Sequence, residues 1–123
     1  MHLIPLLPVK SLPVSIDFYQ QLGFTVDRRE DKWGWAMLMQ GECRIMLDES
    51  INQHPAGTRD AVVYLYPENI VDYHSQVRSS GLDVPELEET FYGMTEFRLD
   101  DPDGNRLWIG QPATTASAAT TSK

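Results

Sequence analysis

The chain has 123 residues, 41% of them hydrophobic, which suffices for the core of one ordinary domain and excludes two independent ones. A formal net charge of −8 argues against nucleic-acid binding, which needs Lys and Arg to replace phosphate counterions, and is compatible with a cationic small ligand. The apolar runs are too short to span a membrane and the single cysteine, Cys43, cannot form an internal disulfide, so we expect a cytoplasmic protein.

The first half of the chain predicts a strand, a helix and three further strand segments. Residues 3–9 are apolar but interrupted by prolines, which is typical of an edge strand and not of a signal peptide. Ser11 can cap the helix that follows, and Gly23 stands where a helix C′ glycine belongs. The remaining strands of this half, the last two of which form a hairpin, are predicted at 24–26, 33–40 and 43–48.

The second half repeats this order after a linker at 49–60, which has no periodicity. Residues 67–80 predict a helix that ends at Gly81, and Leu82-Asp83-Val84 should then begin a strand. The other strands of this half are predicted at 61–66, 95–100 and 106–111, with a Pro- and Gly-containing turn between the last two.

These elements predict an α+β fold of two βαβββ modules, at about residues 3–48 and 61–111, within a single domain of residues 1–111. The modules should form a curved mixed sheet with the helices on its outer face. Residues 112–123 are rich in Ala, Thr and Ser, and they are predicted to form a disordered tail.

Strand alternation separates a helix-facing side of the predicted sheet from an open side. Cys43 should share its face with Ile45 and Leu47, which would make it an inert core thiol. The opposite faces combine Arg, Asp, Met and Trp, as a partly wet binding surface would, because buried charges need partners. Four residues of the strand at 33–40 share one face, which is either core or cleft: Trp33, Trp35, Met37 and Met39.

Two segments resemble the vicinal-oxygen-chelate superfamily, which includes glyoxalase I, fosfomycin-resistance proteins, extradiol dioxygenases and bleomycin-resistance proteins. Residues 6–24 (LLPVKSLPVSIDFYQQLGF) are similar to its opening strand and helix, and residues 97–109 (FRLDDPDGNRLWI) to its closing hairpin. The similarity covers about residues 3–111. It implies the duplicated fold but no single reaction, because this fold carries many functions.

Enzymes of this superfamily usually hold a divalent metal through His and Glu side chains on the first and last strands of each module. The resemblance places those ligand positions near Pro5, Met46, Ala61 and Trp108, none of which can bind such an ion in the usual way. The three histidines, His2, His54 and His74, do not have the spacing of a shared metal site. His74 is expected to lie on the second helix, solvent-facing or partly packed. We therefore predict no metal and no cofactor in the usual site.

The bleomycin-resistance branch is the most similar in length, acidity and lack of metal ligands. Its members are homodimers that sequester a cationic glycopeptide drug between aromatic rings in clefts at the dimer interface. The resemblance matches those rings to Trp35 and Tyr92, and it implies a metal-independent homodimer that binds an aromatic or cationic antibiotic and so confers antibiotic resistance. The candidate ligand-binding residues are Trp33, Trp35, Met37, Met46, Asp48, Phe91, Tyr92 and Trp108.

Two other functions remain open. One is a divergent lyase, isomerase or dioxygenase, which would need either an atypical metal site at Asp48, Asp60 or Glu96 or metal-free acid/base chemistry. The other is a module used only in protein association. The aromatic and methionine side chains would then be ordinary core or dimer packing. Replacement of the metal ligands by apolar and aromatic residues favours capture over catalysis. The sequence does not decide whether the modules pair within one chain or swap between two chains.

Overall fold

The computed structural model of the protein describes residues 1–51 and 60–113. Most of the predicted linker and tail lies outside these residues. The chain divides into two compact units: unit 1 holds the described residues up to 51 together with Asp100–Asn105, and unit 2 holds Asp60–Leu99 together with the described residues from Arg106 onward. In the part of the chain that the structure describes, no helix is long and apolar enough to cross a membrane.

Unit 1 contains the first βαβββ module. Its elements are β1 (Leu6–Pro8), α1 (Leu12–Gln21), β2 (Thr25–Glu30), β3 (Trp35–Gln40) and β4 (Cys43–Asp48). They form a four-stranded sheet of order β1-β4-β3-β2, in which β1 runs parallel to β4 and the other pairs are antiparallel. The prolines in and near β1 are compatible with its place at the sheet edge. Proline has no amide hydrogen to donate, and an edge strand leaves some backbone amides unpaired.

Helix α1 begins and ends at the residues that the sequence predicts. The Ser11 hydroxyl accepts a hydrogen bond from the Val14 amide at 3.4 Å, and the Glu49 carboxylate accepts one from the Leu12 amide at 2.7 Å. Together they satisfy two of the amides that a helix N-terminus leaves unpaired. Gly23 follows the helix with φ of +101°, a conformation that other residues adopt only at a cost.

The turn Asp100–Asn105 belongs to unit 1 because its acidic side chains bind α1. The buried Tyr19 hydroxyl donates to the Asp101 carboxylate at 2.7 Å, and Ser15 Oγ donates to Asp103 Oδ2 at 3.2 Å. Burial and the Asp101 carboxylate both raise the pKa of Tyr19, so the phenol stays a proton donor. Asn105 donates to the Asp101 carboxylate and to the Pro8 carbonyl oxygen. The Asp-Pro-Asp-Gly-Asn segment therefore has a structural role, because its side chains bind α1 and the end of β1.

Unit 2 contains the second module. Its elements are β5 (Val62–Leu65), α2 (Ile70–Ser79), β6 (Glu88–Glu89), β7 (Met94–Asp100) and β8 (Arg106–Pro112). The sheet order β5-β8-β7-β6 repeats that of unit 1, with β5 parallel to β8 and β6 antiparallel to β7. The side chains that form its buried apolar core are Ile70, Val77, Val84, Phe97, Leu107 and Ile109. The two units confirm the predicted α+β fold of two βαβββ modules.

Two predicted strands differ in the structure. Trp33 is not part of β3, because Asp31–Trp33 form a single 3-10 turn that Gly34 ends with φ of +64°. Leu82-Asp83-Val84 do not form a strand either, and the second strand of this module is reduced to Glu88–Glu89. Pro85 has no amide hydrogen to donate, which disfavours a strand that continues through it.

Two side-chain environments also differ from the predictions. Cys43 is exposed, because it is the first residue of β4 beside the hairpin turn, where the core that covers Ile45 and Leu47 does not reach. His74 is buried on α2, where its Nε2 lies 2.8 Å from the Pro85 carbonyl oxygen and its ring meets the Phe97 ring edge to face at 5.0 Å between centres. The loop that replaces the predicted strand thus supplies the polar partner that a buried imidazole needs.

Candidate functional site

One face of the sheet in unit 1 points away from the buried core, and we call it site face 1. The β3–β4 register places Trp35 opposite Asp48 and Met37 opposite Met46, so these four side chains share the face. All four are half-buried, whereas the residues that alternate with them are buried: Ala36, Leu38, Ile45 and Leu47. Strand alternation predicted that Trp35 shares a face with Met37 and that Met46 shares one with Asp48, and the β3–β4 register brings the two pairs together.

An open groove of about 590 Å³ lies at one end of site face 1. It is lined by Arg28, Glu30, Lys32, Trp33, Trp35, Asp48 and Ser50. Trp33, though outside β3, still lines this groove and leaves 70% of its surface exposed. The volume lies within the range of roughly 300–1,000 Å³ that small-molecule sites occupy. The groove brings together three of the predicted residues, Trp33, Trp35 and Asp48.

The polar groups of the groove are arranged around Trp35. Asp48 Oδ1 accepts hydrogen bonds from the Ser50 amide at 2.8 Å and the Ser50 hydroxyl at 2.7 Å, while Oδ2 has no partner among the described residues. The Arg28 guanidinium carbon lies 5.7 Å from the centre of the Trp35 ring, near the outer limit of about 6 Å for a cation–π contact. Glu30 pairs with Trp35 across the β2–β3 ladder. The groove thus offers aromatic faces and a fixed carboxylate acceptor.

The positions in unit 1 where the superfamily resemblance implies a metal do not fit one. The Met46 amide donates to the Pro5 carbonyl oxygen at 2.8 Å, so the two positions are neighbours on the sheet. Pro5 has no side-chain donor atom, and the Met46 thioether is a soft ligand that suits neither hard nor borderline divalent ions. Met46 instead lies beside the apolar side chains Leu6 and Met37.

The corresponding face of the sheet in unit 2, site face 2, is built around a buried carboxylate. Glu96 is fully buried, and its Oε1 accepts from the Tyr64 hydroxyl at 2.7 Å. Its Oε2 accepts from the Tyr92 hydroxyl and from Arg98 Nε, each at 2.7 Å. Arg98 Nη2 also donates to the Tyr92 hydroxyl oxygen at 2.6 Å. We call these four residues the Glu96 cluster.

The pKa values in the Glu96 cluster follow from these contacts. Burial alone would raise the pKa of Glu96, but hydrogen bonds from Tyr92, Tyr64 and Arg98 outweigh burial and hold that pKa below its usual value. Burial and the bond to Glu96 raise the pKa of the Tyr64 hydroxyl. The bond to Glu96 also raises the pKa of Arg98. At neutral pH Glu96 and Arg98 therefore form an ion pair, and the Tyr64 phenol keeps its proton.

The Glu96 cluster connects two of the predicted binding residues, Tyr92 and Trp108. The Arg98 guanidinium carbon lies 3.5 Å from the centre of the Trp108 ring, close enough for direct stacking. Tyr64 pairs with Trp108 in the β5–β8 register and meets it edge to face. Phe91, fully exposed, contacts the Tyr92 ring at 5.1 Å between centres.

The metal positions of unit 2 are also without suitable donors. Ala61 has no donor atom, and the Trp108 indole offers only an N–H. Both Glu96 oxygens already accept hydrogen bonds. Over residues 1–51 and 60–113, no group of three or more His, Cys, Asp and Glu side chains is placed to hold a metal ion.

Seven residues of the groove and the Glu96 cluster were not among the sequence-based candidates for ligand binding: Arg28, Glu30, Lys32, Ser50, Tyr64, Glu96 and Arg98. Two of them could have been found from the sequence, because Glu96 and Arg98 are two residues apart in a predicted strand and so share a face. Charged neighbours on a half-buried face indicate a mutual ion pair. Of the predicted residues, unit 1 holds Trp33, Trp35, Met37, Met46 and Asp48, and unit 2 holds Phe91, Tyr92 and Trp108.

Comparison with known proteins gives a consistent grouping. A sequence profile of the Glyoxalase/Bleomycin resistance protein/Dioxygenase superfamily matches residues 2–109. A search of curated proteins finds no significant match. Among solved structures, the chain resembles a bleomycin resistance determinant encoded on the transposon Tn5, with a TM-score of 0.77 and 23% identity over 91% of this chain and 98% of that one.

Two further solved structures show the functional range of this fold. One is a bleomycin-binding protein complexed with bleomycin, with a TM-score of 0.75 and 23% identity over 90% of this chain and 98% of that one. The other is lactoylglutathione lyase from Agrobacterium tumefaciens, with a TM-score of 0.68 and 13% identity over 89% and 92% of the two chains. At these identities the likeness shows the fold, and proteins with this fold include both binding proteins and enzymes.

Proposed function

The chain belongs to the Glyoxalase/Bleomycin resistance protein/Dioxygenase superfamily, and on that premise we propose that it is a metal-independent binding protein. Its ligand would be a small aromatic or cationic antibiotic of bleomycin type, which it sequesters. The observation that carries this proposal is the chemistry of site face 1. Trp35, Met37 and the fixed carboxylate of Asp48 share this face with Met46, which lies where enzymes of the superfamily would need a metal ligand.

A flat ligand would be held in the groove by complementary contacts. The Trp33 and Trp35 rings offer stacking surfaces, and Met37 and Met46 can adapt their shape to an irregular ligand. A ligand cation over Trp35 would gain on the order of 0.5–2 kcal/mol. Asp48 Oδ2, which no described residue engages, can accept a hydrogen bond from a ligand N–H group.

The donor set supports capture over metal-dependent catalysis. An enzyme with an atypical centre would need Asp48, Asp60 or Glu96 as a ligand. Glu96 is fully occupied by its three donors, and Asp60 is exposed. Elemental analysis of protein purified without chelator distinguishes the two cases, since one tightly bound ion per chain would contradict the proposal.

A homodimer is part of the proposal. One of the solved structures similar to this chain is a bleomycin-binding protein. Several large apolar side chains are exposed in this chain, and contact with a second copy would remove such side chains from water: Leu3, Tyr66 and Phe91. We propose that residues 1–111 act as a single domain whose ligand cleft is completed at the dimer interface.

Titration of tryptophan fluorescence with metal-free bleomycin tests the binding function. We expect a saturable change in the wild type and about three- to tenfold weaker binding in Trp35→Leu, because an apolar side chain without a ring loses the stacking term of roughly 0.5–1.5 kcal/mol. The matched control is Val71→Ala on the exposed face of α2, which should bind as the wild type does. No saturable signal, together with unchanged drug sensitivity of bacteria that express the protein, would refute bleomycin binding.

A further inference from the structure

The aromatic face of Trp108 is already occupied by the protein's own cation. The Arg98 guanidinium stacks on it at 3.5 Å, and the Nε and Nη2 groups of Arg98 are fixed by Glu96 and the Tyr92 hydroxyl. A ligand that approaches this side of Trp108 therefore meets a guanidinium instead of an indole ring. Since Arg98 is held at two atoms, it is pre-organised, with Nη1 not engaged by any described residue.

A second guanidinium lies on the same face. Arg106 is opposite Val62 in the β5–β8 ladder, two residues before Trp108, and its guanidinium carbon lies 5.9 Å from the Trp108 ring centre. It is half-buried and forms no ion pair with any other described residue. A cation that is partly removed from water and lacks a counter-charge is expected to attract an anion.

The buried carboxylate beside these cations cannot serve a cationic ligand. Glu96 has no exposed surface, and its oxygens accept three hydrogen bonds from neighbouring side chains. Its effect is to hold Arg98 in place over Trp108. Gly110 leaves room for Glu96 and Tyr64 in the cluster, because a Cβ at position 110 would come within 2.7 Å of the Glu96 Cβ and 3.0 Å of the Tyr64 hydroxyl oxygen.

We propose that site face 2 binds the carboxylate of a small aromatic acid at Arg98 and Arg106, with Glu96 as the positioning residue for Arg98. The aromatic part of the ligand would stack on the guanidinium that covers Trp108, since Arg planes stack on aromatic rings. This site goes beyond the proposed capture of a cationic drug, because it selects the opposite charge and uses residues of unit 2 alone.

The test compares two probes of the same shape and different charge, naphthalene-2-carboxylate and naphthalene-2-carboxamide, by isothermal titration calorimetry. We expect the carboxylate to bind at least about tenfold more tightly, as hydrogen bonds to a charged group allow. Arg106→Gln should remove most of this preference while binding of the amide stays unchanged. Arg78→Gln, which alters an exposed arginine of α2 in the same unit, is the matched control and should keep the preference.

Glu96→Gln tests the positioning role through the same ratio. It should reduce the preference for the carboxylate while circular dichroism still reports a folded chain. The Arg98→Lys variant should also have a reduced preference, because a lysine keeps the charge but cannot stack as a plane. Equal affinities for the two probes, failure of both to bind, or a preference that survives Arg106→Gln would overturn the inference. None of these outcomes bears on the comparison of bleomycin affinity between the wild type and Trp35→Leu, which isolates Trp35 in unit 1.

Discussion

Glu96 keeps a charge inside unit 2 because three donors surround its two oxygens. A buried carboxylate without partners would take up a proton, and a half-satisfied one would destabilise the fold. The same donors explain why Trp108, although conspicuous in the sequence, is not an open platform. Arg98 is bound to Glu96 and stacks on the Trp108 ring, so this face of the sheet presents a guanidinium in place of the indole ring.

The pKa of Glu96 predicts a pH dependence of stability. Because the folded-state pKa lies below the usual value of 4.5, ionised Glu96 stabilises the fold above about pH 4.5, and this contribution is lost as the pH falls through the folded-state pKa. Urea unfolding should therefore show Glu96→Gln to be less stable than the wild type at pH 7, with the gap narrowing below pH 4.5. Glu42→Gln, at the exposed hairpin turn, is the matched control in the same series. A stability gap between Glu96→Gln and the wild type that is independent of pH would contradict the assignment.

At the scale of elements, the close contact between β8 and β7 depends on Gly110. We expect Gly110→Ala to destabilise the protein by about 1–3 kcal/mol, the usual cost of overpacking, because the new methyl group would clash with Glu96 and the Thr95 carbonyl oxygen. Chemical denaturation measures this cost. Gly41→Ala shows a different cost, because a Cβ there meets no atom within 4 Å but φ is +59°, whereas Gly110 has no positive φ and its cost comes from the clash alone. A Gly110→Ala variant as stable as the wild type would show that the two strands separate easily.

The sequence predicted the elements best where local rules are strong. Ser11 and Gly23 mark the ends of α1, and Gly41 marks the β3–β4 hairpin. The sequence-based strand predictions are wrong where tertiary contacts or the backbone geometry of single residues determine the course of the chain. Gly34 redirects the chain before Trp35, so Trp33 leaves the strand, and Pro85 breaks the strand that the internal repeat implied.

The candidate site was predictable in part for the same reason. Strand alternation places Trp35, Met37 and Met46 on one face, since a period of two follows from the backbone alone. The cover of Arg98 over Trp108 was not predictable, because rotamers and hydrogen bonds decide it. The opposite chemistry of the two site faces could likewise be read only from the structure.

At the scale of the whole molecule, the chain carries a net charge of −8. The groove of site face 1 is lined by two basic and two acidic side chains, and site face 2 carries two arginines beside Glu96. An acidic protein raises the concentration of cations near its surface, which favours the capture of a cationic drug by site face 1. Carboxylate binding at site face 2 must act against this field. It should therefore strengthen as added salt screens the repulsion from distant charges, while capture of a cation should weaken.

The proposed dimer predicts the mass of the protein in solution. Light scattering coupled to size exclusion should give twice the chain mass of 14.0 kDa across a tenfold dilution, because the exposed apolar side chains would be covered by a second copy. A mass of one chain at every concentration would contradict the dimer and leave the groove of unit 1 as the whole site.

The central claim is that this chain captures its ligand without a metal. Its most direct test is calorimetric titration of metal-free bleomycin into protein dialysed against chelator. The comparison is the same protein incubated with Zn²⁺, Ni²⁺ or Mn²⁺ and then desalted, so that no free ion reaches the metal-chelating groups of the drug. We predict saturable binding in the dialysed protein, with the same affinity in the metal-supplied samples, because the metal positions near Pro5, Met46, Ala61 and Trp108 have no suitable donor set. Binding that appears only after a metal is added would contradict the claim.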